Sequence, residues 1–249
     1  MQWLKSLIFV IYIYLFMAVW GIVCFPLLLH PKGARWVCGV YASHVIWLAR
    51  VMLGIRSEVR GEIPTGEVVI AAKHQSFLDI MIIYNAVPAA KFIMKRELIY
   101  TPFIGQYAWR LGCVPVNRGK RGQAISKMLE DVKKGSAQPG QLVIYSQGTR
   151  VAPGDYKPYK IGTAAIYRET GWPCVPAATN VGLLWPRKGI LRKPGLAVVE
   201  FLDPIPPGVD KAAFMSQLET TVEAKSNELM KELGFDAESH LAARAKQSV

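Results

Sequence analysis

The chain has 249 residues, half of them hydrophobic and 19% charged, with a mean hydropathy of +0.21. This composition excludes global disorder and supplies a buried core for one large domain or two small ones. Lys and Arg outnumber Asp and Glu by 30 to 18, and the net charge of +12 suits a polyanionic partner: a phospholipid surface, a phosphorylated substrate, an acidic carrier protein or nucleic acid.

No charged residue interrupts the run from Ser6 to Leu29, which is long enough to cross a hydrocarbon core of about 30 Å as a helix. Trp3, Tyr12, Tyr14 and Trp20 suit a membrane–water interface, and Pro26 kinks or ends the helix. A second apolar stretch, Trp36 to Ala49, is expected to stop at Arg50 and resume briefly as Val51 to Ile55, as an interfacial or re-entrant helix. The first run exceeds a signal-peptide core and no small-x-small site follows it cleanly, so an anchor is expected rather than a cleaved leader. Lys32, Arg35, Arg50, Arg56 and Arg60 follow the first helix and Lys5 precedes it. The rest of the chain is therefore expected on the cytoplasmic side; an interfacial hairpin gives the same side without crossing. Residues 1–60 are read as a membrane-associated helical segment and 61–249 as the domain that follows it.

Beyond Gly66, strand-like and helix-like runs alternate. Val68–Ala72, Lys91–Met94, Gly112–Val116, Gln141–Tyr145, Cys174–Thr179 and Leu196–Phe201 read as strands. Ile80–Ile83 begins a helix. Ala124, Ile125, Met128, Leu129 and Val132 keep helical spacing up to Gly135, and Thr163–Thr170 is a short helix closed by Gly171. Asp210 caps a last helix with Phe214, Leu218, Val222, Leu229 and Leu233 inward, ended by Gly234. The alternation argues an α/β fold with a mostly parallel central sheet flanked by helices, preceded by the two-helix apolar anchor. Cys24, Cys38, Cys113 and Cys174 form no C-x-x-C pair and sit in apolar surroundings, the pattern of buried free thiols rather than a metal site or disulfide framework.

Ligands of open α/β sheets gather outside the carboxyl ends of the strands. Lys73-His74-Gln75-Ser76-Phe77-Leu78-Asp79 follows the first such strand, Asn117-Arg118-Gly119 a later one, and Ser146-Gln147-Gly148-Thr149-Arg150 another. His74 and Asp79 are five residues apart, about 140° in a continuous helix, so they meet only if His74 precedes the helix that holds Asp79. With Ser76 as N-cap, Asp79 falls at the third helical position and its carboxylate can orient the ring as a general base. Ser76-x-x-Asp79 is equally a capping box that needs no catalysis. Arg118 and Arg150 suit bidentate phosphate binding or are solvated surface charges. Gly148 permits close approach of backbone to a ligand, or serves a turn.

At these residues the sequence resembles the glycerolipid acyltransferase family. The family's His-x-x-x-x-Asp is matched by His74–Asp79, and its second motif by Gly112-Cys113-Val114-Pro115-Val116-Asn117-Arg118-Gly119. Its Phe-Pro-Glu-Gly-Thr-Arg is matched by Tyr145-Ser146-Gln147-Gly148-Thr149-Arg150, and its Val-Pro strand by Val175-Pro176-Ala177-Ala178-Thr179-Asn180. Order and spacing agree from about Val68 to Asn180.

The resemblance implies transfer of an acyl group from acyl carrier protein or acyl-CoA to the sn-2 hydroxyl of 1-acylglycerol-3-phosphate. His74 is then the base, Asp79 its orienter, and Arg150 the phosphate ligand, helped by Arg118 and Lys95. Gly148 and Thr149 belong to the same substrate-binding motif. Gln147 and Ser146 depart from the family's Glu and Pro; Gln147 cannot act as acid or base but can hydrogen-bond a glycerol hydroxyl. The implied partners are a lyso-lipid in a phospholipid membrane and an acyl-carrying thioester, with no cofactor, no metal and no nucleic acid. The implied location is the cytoplasmic face of the inner membrane. Acylation of another lyso-lipid, such as a lyso-ornithine lipid, and a non-catalytic membrane-anchored basic binding protein are the alternatives.

Overall fold

The computed structural model describes residues 1–30, 32–117, 126, 129–132, 139–237 and 239–240. Seven strands form one sheet: β1 (Ile55–Arg60), β2 (Val69–Ala72), β3 (Lys91–Lys95), β4 (Val114–Val116), β5 (Leu142–Tyr145), β6 (Cys174–Thr179) and β7 (Gly195–Phe201). Their order is β1-β7-β6-β2-β5-β3-β4. The five from β6 to β4 run parallel, β7 is antiparallel to β6, and β1 is parallel to β7. The carboxyl ends of β2, β5, β3 and β4 therefore share one edge of the sheet.

The central strands are near-continuous apolar runs because both faces are covered. Ile70, Ala72, Val143 and Val175 pack on one face with residues of α1 (Gln2–Val23), α2 (Gly33–Leu48) and α3 (Leu78–Ala86). Val69, Ala71, Leu142, Ile144 and Cys174 pack on the other with α5 (Gly162–Thr170) and α6 (Lys211–Lys231). The alternation is the period of two that a pleated strand imposes.

The helix signals hold at their ends. α5 stops at Gly171, whose φ of +64° is the left-handed turn glycine adopts without strain. Asp210 caps α6 by accepting the N–H of Ala212 at 2.8 Å, and Phe214, Leu218, Val222 and Leu229 are fully buried. Leu233, expected inward, is 37% exposed because α6 ends at Lys231. The expected helix around Ala124–Val132 lies largely outside the described residues.

Two elements escaped the sequence. β1, Ile55-Arg56-Ser57-Glu58-Val59-Arg60, is an edge strand whose polar side chains face solvent, so it lacks an apolar run. It pairs with β7, which makes it part of the sheet rather than of the 1–60 segment. The short α4 (Ile104–Arg110) was also unread. Arg50 does not stop the second apolar helix: α2 continues through a π-helical turn, Ala49–Leu53, to Gly54, with the Arg50 side chain exposed.

α1 and α2, the latter counted to Leu53, are each long and apolar enough to cross a membrane. Each keeps one face on the domain. Phe9 and Ile13 of α1 and Val37 and Val45 of α2 are buried, and the ring of Phe9 meets Trp185 edge-on at 5.2 Å. Trp3, Ile8, Ile11, Leu15, Val19 and Ile22 remain exposed on the opposite face of α1, and Trp36 and Trp47 on α2.

Candidate active site

His74 sits where β2 has ended and α3 has not begun. Its main chain is pinned by the N–H of Val151, which donates to the His74 carbonyl at 2.8 Å, and its ring lies flat on Tyr145, with centroids 3.9 Å apart. Nδ1 of His74 lies 2.8 Å from Oδ1 of Asp79. Asp79 is 0% exposed, in the first turn of α3.

The structure unites the two readings that the sequence left as alternatives. The helix starts at Leu78, two residues beyond the expected N-cap, and Ser76 Oγ accepts the N–H of Leu78 at 3.2 Å. Oδ2 of Asp79 accepts the backbone N–H groups of Gln75 (2.8 Å) and Ser76 (2.7 Å), closing the helix start. Oδ1 faces His74 and also accepts the hydroxyl of Tyr145 at 3.1 Å. One oxygen caps and the other orients.

In a neutral imidazole, a carboxylate at Nδ1 favours the tautomer with the proton on Nδ1 and the lone pair on Nε2. Nε2 has no hydrogen-bond partner among the described residues, and the His74 side chain is 13% exposed. An imidazole held this way can take a proton from a hydroxyl placed at the carboxyl edge of the sheet. Ser76, the nearest hydroxyl in sequence, is fully buried and engaged in the turn.

Arg150 closes the loop after β5. It is half-buried and forms no ion pair among the described residues. Its carbonyl accepts Nη1 of Arg187 at 3.2 Å, and its charge bears on Arg192. Burial above all, and then the Arg150 charge, holds the Arg192 guanidinium below its ordinary value. Arg192 is buried against the ring of Trp185, 5.0 Å from its centroid, and its Nε has no partner. Neither guanidinium is paired with a carboxylate among the described residues, but Nη1 of Arg192 already donates to the carbonyls of Gly189 at 2.9 Å and Leu191 at 3.2 Å, which leaves Arg150 as the charge better suited to an anion.

The remaining expected residues divide. Lys95 ends β3 on the same sheet edge, half exposed, with Nζ 3.2 Å from Glu97. Arg118 lies outside the described residues. Thr149 is half-buried. Gly148 has φ of +68° and donates its N–H to the Tyr145 carbonyl at 2.8 Å, a tight turn; a Cβ there would lie 2.7 Å from Nζ of Lys160.

The Gln147 side chain is buried and turned toward α6. Its Nε2 donates to the Lys157 carbonyl at 3.0 Å and approaches Oε1 of Glu223 at 3.4 Å, while its Oε1 has no partner. Glu223 also accepts the Tyr159 hydroxyl at 3.0 Å and pairs with Nζ of Lys73, a residue only 2% exposed. This polar cluster joins the end of β2, the 146–160 segment and α6. Sequence reasoning passed over Lys73, Glu223 and Tyr145. The available signals were a lysine inside an apolar strand end and a phenolic oxygen where the resembled motif has Phe.

Together, the carboxyl edge of a mostly parallel sheet carries an imidazole oriented by a carboxylate, with the loop of Arg150 hydrogen-bonded to the His74 main chain. The comparisons with known proteins identify the family and the fold. The family model described as Acyltransferase matches residues 55–180. The 1-acyl-sn-glycerol-3-phosphate acyltransferase of Pseudomonas aeruginosa is 31% identical over 182 residues, 71% of each chain. The human 1-acyl-sn-glycerol-3-phosphate acyltransferase alpha is 31% identical over 153 residues, 56% of this chain and 54% of its own length. The crystal structure of the 1-acyl-sn-glycerophosphate (LPA) acyltransferase, PlsC, from Thermotoga maritima superposes with a TM-score of 0.75 at 22% identity, covering 92% of this chain and 98% of that one. The chain belongs to the acyltransferase family, and its fold is that of the Thermotoga maritima structure.

Proposed function

We propose that this enzyme transfers a fatty acyl group from a thioester donor, acyl carrier protein or CoA, to the sn-2 hydroxyl of 1-acylglycerol-3-phosphate, with His74 as general base. The observation that carries the reading is the His74–Asp79 pair, 2.8 Å apart, with Nε2 left open at the sheet edge. The acceptor phosphate docks on Arg150, assisted by Arg118 and Lys95. Nε2 of His74 takes the proton of the 2-hydroxyl as that oxygen bonds to the thioester carbonyl carbon. The C–S bond then breaks, and the imidazolium returns the proton to the departing sulfur. Oδ1 of Asp79 stabilises the imidazolium between the two transfers.

The two apolar helices fit a substrate that never leaves the lipid phase. Their exposed faces, with Trp3, Trp36 and Trp47 among them, suit the bilayer and its interface. The charge asymmetry around the first helix supports a catalytic domain on the cytoplasmic side.

The test is acyl transfer by the full chain in detergent, with lysophosphatidic acid and a phosphate-free lyso-lipid as acceptors and both thioesters as donors. Wild-type protein is expected to favour the phosphorylated acceptor. His74→Ala is expected to lose at least about a thousandfold in turnover with an unchanged melting temperature. Activity in His74→Ala near the wild-type level refutes the base assignment; equal use of the two acceptors refutes the substrate assignment.

A further inference from the structure

The Tyr145 phenol takes no part in the steps above, yet it touches both members of the dyad. Its ring stacks on His74, 18° from parallel, and its hydroxyl donates to the same Oδ1 of Asp79 that faces Nδ1 of His74. We propose that Tyr145 is a positioning residue that tunes the base: by sharing one carboxylate oxygen with His74, its hydroxyl keeps the imidazole neutral and ready to accept a proton. The proposal rests on the reading of His74 as the base.

The argument is electrostatic. When His74 gains a proton, its Nδ1–H contact with Oδ1 becomes an ion pair, stabilised in proportion to the charge available on that oxygen. A second donor on the same oxygen draws some of that charge away. The imidazolium is then less favoured, and a larger fraction of the enzyme holds the open lone pair at a given pH. Burial first, and then the charge of Asp79, hold the Tyr145 phenol well above its ordinary value, so it stays a donor.

The other ionisable groups nearby are engaged elsewhere. Lys73, at the end of β2, pairs with Glu223 of α6. Lys95, the last residue of β3, pairs with Glu97. Tyr84 of α3 donates to the Arg35 carbonyl and stacks on Phe92, which in turn packs on Tyr145. Arg150 lies in the loop after β5 with no contact to the carboxylate. The contacts to Asp79 are the two backbone N–H groups, His74 and Tyr145. Among the described residues the phenol is thus the one side-chain hydrogen-bond partner of Asp79 besides the base itself.

Tyr145→Phe keeps the ring and removes the hydroxyl. The measurement is kcat/KM against pH for the full chain in detergent, with lysophosphatidic acid and an acyl-CoA. The acid limb of the profile is expected to move to higher pH by about half a unit or more, with the melting temperature little changed. Replacing Tyr145 by a fluorotyrosine, whose hydroxyl is a stronger donor, is expected to move the same limb to lower pH. A merely structural tyrosine would shift stability and leave the limb in place. An unmoved limb, or movement in the same direction in both proteins, overturns the proposal. Should Tyr145→Phe fail to fold, the near-isosteric fluorotyrosine protein decides by itself. His74→Ala separates the two layers: if it stays active, the base reading falls and this proposal with it. If it is inactive while the limb of Tyr145→Phe stays put, the proposal about Tyr145 falls alone.

Discussion

Replacing Asp79 by Asn tests whether capping or orientation governs this carboxylate. Asp79 is fully buried and takes four contacts, two on each oxygen: the N–H groups of Gln75 and Ser76 on Oδ2, and His74 and Tyr145 on Oδ1. Asn offers one oxygen and one NH2 group. The two backbone donors cannot turn, so the amide places its oxygen on their side and its NH2 toward His74 and Tyr145. The NH2 group has two hydrogens, one for each partner, provided that His74 presents a bare Nδ1 and the phenol accepts. The helix start is preserved, and the stability cost is about 1–2 kcal/mol, the difference between charged and neutral hydrogen bonds at one site. The tautomer, however, is reversed: the proton sits on Nε2, where the lone pair is needed. Loss of turnover by about 10³- to 10⁴-fold is expected, as for an orienting carboxylate in a catalytic triad. The assay is acyl transfer in detergent alongside thermal unfolding of the same sample. A variant that melts several degrees lower but turns over within tenfold of wild type would show that capping is the whole role of Asp79.

Arg150→Met is expected to raise KM for the phosphorylated acceptor by about 10- to 100-fold, the loss of one charged hydrogen-bonding group, while a phosphate-free lyso-lipid is unaffected. Equal effects on both acceptors would place Arg150 outside the phosphate site. Glu223→Leu leaves the ammonium of Lys73, 2% exposed, without its carboxylate, at a cost of about 3–5 kcal/mol. The Glu223 side chain is 21% exposed, which favours the lower end, and a melting temperature lower by roughly 6–20 °C follows for a chain of this size. Adding Lys73→Met should restore most of it, because no unpaired charge then remains; a double variant as unstable as the single one would refute the ion-pair explanation.

Much of the sheet was legible because its strands are covered on both faces. Val68–Ala72, Gln141–Tyr145 and Cys174–Thr179 are apolar but for Gln141 and Thr179 at their ends, and all coincide with observed strands to within a residue. β1 was illegible for a different reason: Arg56, Glu58 and Arg60 alternate with Ile55, Ser57 and Val59, so only two apolar residues mark its inward face. At the site, the five-residue interval between His74 and Asp79 suggested either a cap or a dyad. Spacing could not choose, because a carboxylate has two oxygens and here serves both ends. Lys73 and Glu223 are 150 residues apart, so no local pattern joins them. Gln147 was expected at a substrate hydroxyl; the fold turns it toward Glu223 instead, a direction set by where α6 crosses the sheet.

The first helix is commonly pictured as a mooring line, but here it is part of the hull. Gln2 donates to the Arg192 carbonyl, Ser6 Oγ accepts the Arg192 N–H, and Phe9 closes over Trp185. The same segment holds Arg187 against the backbone of Arg150. Whatever surface takes up the apolar outer face of α1 is therefore held at a distance from Arg192 that the fold itself sets.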